Sequence, residues 1–178
     1  MDPLSAVRDL YAHNAWANAR TLAACQNLDA QQLDERAPGT YGTIEDTIRH
    51  MVGVEDAYIH MLRDQPLSDM GATDAYYAQD LAWFTQRSAR LAREYADLAS
   101  SIGADALVSP LRVPWFDFAL TKHDGLIQVL THSGQHRAQI LSVLGERGID
   151  VPNLDYVAFV EERAAQPAPG DGSPPETL

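Results

Sequence analysis

Cysteine is nearly absent from this chain. Cys25 is the only one among 178 residues, so no intramolecular disulfide can form and a cysteine-rich zinc module is excluded. Lysine is equally scarce, since Lys122 stands alone and arginine carries the remaining positive charge. Positive charge is itself in short supply. Thirteen Lys and Arg face 25 Asp and Glu, for a formal net charge of −12. Without a basic surplus the chain is poorly suited to nucleic-acid phosphates and to anionic membrane surfaces. No apolar run approaches the roughly 20 residues needed to span a bilayer. The opening Met1-Asp2-Pro3 shows neither the basic stretch nor the apolar stretch of a secretory signal, so a cytoplasmic location is expected.

What is present is a helical period. Hydrophobic residues make up 46% of the chain, enough for one core. The first periodic segment starts at an Asp2 cap with Pro3 at the first helical position and runs to about Asn27. Residues 34–42, with Pro38, Gly39 and Gly42, read as a loop. Thr43 and Asp46 then form a capping-box pattern that opens a second helix to about Asp64. A third is expected from Thr73 to about Ser101. Residues 104–120, with Pro110 and Pro114, read as irregular with a short strand pair. Thr121 and Asp124 open a fourth helix that ends before Gly148. A short helix from Leu154 to about Ala165 follows. The expected fold is therefore all-α: a four-helix bundle with a long, partly extended third connection and a short C-terminal helix. The domain spans residues 1–165. Residues 166–178, rich in proline and without apolar periodicity, are expected to be a disordered tail.

The chemistry-bearing residues are histidines. His132 and His136 are four apart on the fourth helix, about 40° from each other on one face. That spacing lets two imidazoles share a metal ion, and it also fits an ordinary solvent-facing polar stripe. Gln128, Gln135 and Gln139 fall on the same stripe, while Leu126, Leu130, Ile140 and Leu144 form the apolar one. On the second helix, His50 lies at the edge of a face made by Ile44, Met51, Tyr58 and Leu62. It is either a third ligand or a core-edge histidine. Glu55 points about 140° from His50, into that apolar face. A carboxylate there must be protonated, paired with an arginine from another helix, or hydrogen-bonded near a metal. The last is the expectation, with Glu55 serving in the second shell or in proton transfer. His13, His60 and His123 do not fall with the set. Cys25 reads as a small buried hydrophobe.

The stretches His50-Met-Val-Gly-Val-Glu55 and His132-Ser-Gly-Gln-His136-Arg-Ala-Gln139-Ile resemble the helix motifs of the DinB-like (DinB/YfiT-like) metalloenzyme superfamily. Tyr11, Asn14-Ala-Trp16-Ala-Asn18 and the run from Gly148 to Tyr156 are similar as well, so the resemblance covers about residues 3–162. It implies a bundle with an unusual connection order. It also implies a divalent transition metal, nickel or zinc in many members, held by His50, His132 and His136. Homodimers and a low-molecular-weight thiol cosubstrate such as bacillithiol or mycothiol are further implications. Tyr58 stands where many relatives carry tryptophan, a departure that bears on substrate class.

Three functions follow as expectations. The first is a metal-dependent transferase or hydrolase that activates a thiol or water toward a small-molecule substrate. The second is a non-catalytic metal-binding or stress-response protein. The third is a helical dimerisation module without metal. Nucleic acid and membrane are not expected partners.

Overall fold

The computed structural model describes residues 4–71 and 73–165. Four long helices form the bundle: α1 (Ser5–Cys25), α3 (Ile44–Leu62), α5 (Leu81–Ser101) and α7 (Lys122–Glu146). Shorter pieces are α2 (Ala30–Leu33), a 3-10 turn (Leu67–Met70), α4 (Thr73–Tyr77), α6 (Ala104–Leu107) and α8 (Tyr156–Ala165). Two strands, β1 (Pro110–Leu111) and β2 (Leu120–Thr121), pair antiparallel with Pro110 opposite Thr121.

Local chemistry sets the boundaries. The Thr43 hydroxyl accepts from the backbone N–H of Asp46, whose carboxylate accepts in return from the N–H of Thr43. Thr121 and Asp124 repeat the device at α7, satisfying N–H groups that the first turn leaves without helical partners. Gly148, at φ 71, ends α7 in the left-handed region that favours glycine. The cap of α1 is Leu4, with no side-chain hydrogen bond, rather than the expected Asp2. Asp2, Pro3 and the expected tail at 166–178 lie outside the described residues.

The expected third helix is two helices. Asp80 starts α5 afresh by accepting from the N–H of Trp83, and the chain breaks at 78–80. The break frees α4 to lie against α3. There the Tyr76 hydroxyl donates to the buried Asp56 carboxylate at 2.8 Å, and the Arg87 Nε donates to the same oxygen at 2.6 Å.

The long helices pack as a ring in the order α1, α5, α3, α7. Consecutive long helices therefore face each other across a diagonal in two cases, α1 with α3 and α5 with α7. Phe84, Leu22, Ile48, Leu91, Ile140 and Leu144 are among the fully buried side chains that fill the centre. The connections 63–80 and 102–121 both reach the seam between α3 and α7. Gly125 allows this on α7, because a Cβ there would clash with Leu111 of β1.

Candidate metal centre

His50 comes from α3, and His132 and His136 come from adjacent turns of α7. One ring nitrogen of each lies within 4.8 Å of the others. The His132 Nε2 is 3.1 Å from the Nε2 of His50 and 3.1 Å from the Nε2 of His136. Two nitrogens about 2.0–2.1 Å from a shared ion would be separated by about 2.9 Å in octahedral and about 3.3 Å in tetrahedral coordination. The observed spacing falls between these values, so the donor set fits a first-row divalent ion.

The groups around the rings fit as well. The His136 Nδ1 donates to the Gln139 Oε1 at 2.7 Å, which leaves the Nε2 lone pair facing the other two rings. Gln139 is held in turn. Its Nε2 donates to the Gly39 carbonyl at 3.2 Å, and its Oε1 accepts from the Tyr41 N–H at 3.4 Å. The loop so fastened lays the Tyr41 ring on His50, with centroids 4.0 Å apart and planes 11° from parallel. The His132 Nδ1 is buried and finds no partner among the described residues.

Electrostatics keep the three rings neutral. Burial, then repulsion from His136 and His50, lowers the pKa of His132 to about 4. His50 is lowered by burial and by His136. His136 is lowered by burial, against the opposing hydrogen bond to Gln139. Neutral imidazole is the form that coordinates metal.

Glu55 is not one of the three clustered donors. Its carboxylate is buried, and Oε1 accepts from Asn14 Nδ2 at 2.9 Å, Asn18 Nδ2 at 2.9 Å and Ser133 Oγ at 2.6 Å. The oxygens of both asparagines accept from the Arg137 Nη1 at 2.6 Å. Arg137 is thus linked to Glu55 through the asparagines. Two carboxamides stand between carboxylate and guanidinium, each turning its NH₂ toward the negative charge and its C=O toward the positive one. The network ties α1, α3 and α7 together at residues adjacent in sequence to His132 and His136.

The remaining histidines stay apart. His13 bonds the Leu154 carbonyl at 2.8 Å and packs under α8. His60 bonds the Asp56 carbonyl one turn back, and His123 is exposed. Cys25 is fully buried, and burial pushes its thiol up to about 12, as suits a packing residue. Sequence reasoning missed Tyr41, and it missed Asn14 and Asn18 as partners of Glu55. The available signal for the pair was two asparagines four apart on an otherwise apolar stripe.

Beside the histidines lies a cavity of about 500 Å³, with His50 and His132 in its wall. A second cleft, of about 660 Å³, shares His50 and Tyr77 with it and includes Tyr41, Asp46 and Arg49.

A family model described as the DinB family matches residues 3–168. The fold is similar to that of YfiT from Bacillus subtilis, described as a probable metal-dependent hydrolase with an unusual four-helix bundle topology. The TM-score is 0.63 at 15% identity, over 80% of this chain and 89% of that one. A search of curated proteins gives no match.

Proposed function

The chain belongs to the DinB family, and from that premise we propose that it is a divalent-metal-dependent hydrolase whose ion is held by His50, His132 and His136. The observation that carries this reading is the convergence of three ring nitrogens at the wall of a cavity. The description of YfiT supports it. A divalent ion on three neutral imidazoles keeps coordination positions open and brings the pKa of a water ligand toward neutrality. Nickel and zinc, implied by the resemblance, both accept imidazole donors.

The chain's own residues do the rest. Gln139 fixes the ring of His136 and, through Tyr41, shields one face of His50. Glu55 holds α3 and α7 at the spacing the histidines need, acting through Ser133 and the asparagines rather than as a proton carrier. Tag-free protein should carry one ion per chain. It should cleave an activated aryl ester in a way that chelation abolishes and added zinc or nickel restores. Turnover indifferent to chelation would overturn the reading, and bound metal without turnover would favour the non-catalytic alternative.

Thiol-dependent S-transfer is the second reading. It is favoured by the two cavities that share His50, which offer two approaches for two substrates. A strict requirement for added low-molecular-weight thiol would select it. The homodimer implied by the resemblance remains part of the proposal, and light scattering on the purified chain tests it.

A further inference from the structure

The cavity beside the histidines has a one-sided chemistry. Among the described residues, no Asp, Glu, Lys or Arg lines it, in a chain where charged residues make up 21%. Its walls are aliphatic and aromatic, with Val54, Met70, Tyr58, Tyr76, Trp115 and Phe116 prominent. Trp115 meets Tyr58 edge-on with centroids 6.3 Å apart, and Phe116 stacks on Phe118 at 4.9 Å. Trp115 and Phe118 are 52% and 60% exposed, so the aromatic wall continues outward from the cavity.

Uncharged polar groups interrupt this wall, among them those of Tyr77 and Gln128. The Tyr77 ring lies across Gly53, where a Cβ would fall 2.5 Å from the tyrosine hydroxyl. Gln128 is one turn from His132 on α7 and lines the same cavity. Neither the Tyr77 hydroxyl nor the Gln128 carboxamide has a hydrogen-bond partner among the described residues. Arg49 lines the second cleft and not this cavity. Its Nη2 donates to Glu45 at 2.6 Å and to the Gln79 carbonyl at 3.2 Å, while its buried Nε finds no partner among the described residues.

We propose that this cavity selects an uncharged, flat, apolar molecule, an arene carrying one carbonyl-type group, and rejects anions of the same shape. As a statement about substrate it rests on the hydrolytic reading above. As a statement about binding it stands on the cavity alone. The arene is received by the aromatic wall through stacked and edge contacts. Its carbonyl group is oriented by the Tyr77 hydroxyl and the Gln128 amide, the few placed polar groups that give an apolar pocket its specificity. A carboxylate in the same pose would lose its hydration with no cation to replace it, in a chain of net charge −12.

The test uses the full chain and a pair of probes of nearly identical shape, 2-naphthamide and 2-naphthoate. Binding is read by tryptophan emission and by calorimetry after chelation, so that a carboxylate cannot bind through a metal. Naphthamide is expected to bind at least tenfold more tightly than naphthoate. Trp115→Ala should remove most of the emission change and weaken naphthamide about tenfold. Ala57→Leu, which fills the cavity from α3, should abolish binding, and each variant's melting curve shows whether it is folded. Equal or tighter binding of naphthoate, or naphthamide binding that both variants leave intact, would overturn the inference. Because these arms contain no metal and no turnover, failure of the hydrolase reading leaves their outcome unaffected, and the reverse also holds.

Discussion

A single imidazole is a weak ligand until its other nitrogen is committed. His136 is the best prepared of the three, because Gln139 accepts a hydrogen bond from its Nδ1–H. His136→Ala should therefore abolish stoichiometric metal. Gln139→Ala should keep the fold and weaken metal about 10–100-fold, as measured by competition with a chromogenic chelator. The same residues predict a pH response. Their pKa values lie below that of an unfolded histidine, about 6.5, and that of His132 falls to about 4. Between these values the unfolded chain binds protons that the native chain refuses, so the metal-free protein should lose stability as pH falls from about 6.5 toward about 4. His132→Ala should flatten that part of the melting-temperature profile. Glu55 behaves differently. Glu55→Gln leaves the buried Arg137 charge uncompensated and should destabilise the chain by about 3–5 kcal/mol in urea unfolding, with Arg137→Met recovering part of the loss. A Glu55→Gln protein as stable as the parent would contradict this structural role. The histidine pair was legible in the sequence because its spacing is local. The partners of Glu55 were not, since a helical wheel shows that a residue is inward but not which helix it meets.

At the scale of elements, the caps were the most readable features. Thr43 with Asp46 and Thr121 with Asp124 are short-range devices, and both form as their spacing predicts. The break between α4 and α5 was hidden because the apolar period runs through it from Tyr77 to Leu81 and Phe84. Asp80 looks like any polar residue until the chain turns there. The turn matters because it delivers Tyr76 and Tyr77 to α3. Gly53→Ala should push the Tyr77 ring off α3. The cost should be about 1–3 kcal/mol by thermal melting, with stoichiometric metal retained, since His50 is not in the contact. Loss of metal in this variant would show that α4 braces the ligands as well as the cavity.

For the whole molecule, the number of long helices was legible in the sequence but their order around the ring was not. Lengths and loops constrain neighbours only when connections are short, and all three connections between the long helices are long, two of them crossing a diagonal. The three histidines come from two neighbours in that ring, α3 and α7, so an ion held by them would bind only when the two helices are packed. A ligand specific for the native state stabilises it by mass action, about 2.7 kcal/mol when free ligand is 100 times its dissociation constant. Zinc or nickel at that excess should raise the melting temperature of the parent and leave His136→Ala unmoved.

The diagonal arrangement also has a kinetic consequence. In an up-and-down bundle, three of the four packed seams join helices that follow one another. Here only the seam between α3 and α5 does so, and α1 must wait for α5 or α7. Most native pairings are thus distant along the chain, and loop closure comes before reward. During synthesis α1 and α3 leave the ribosome with apolar faces that form no packed seam with each other, so the first seam awaits residues 81–101. His50 and His132, 82 residues apart, can meet only after that. Refolding should be slower than for an up-and-down bundle of equal length, and the ion should be acquired last.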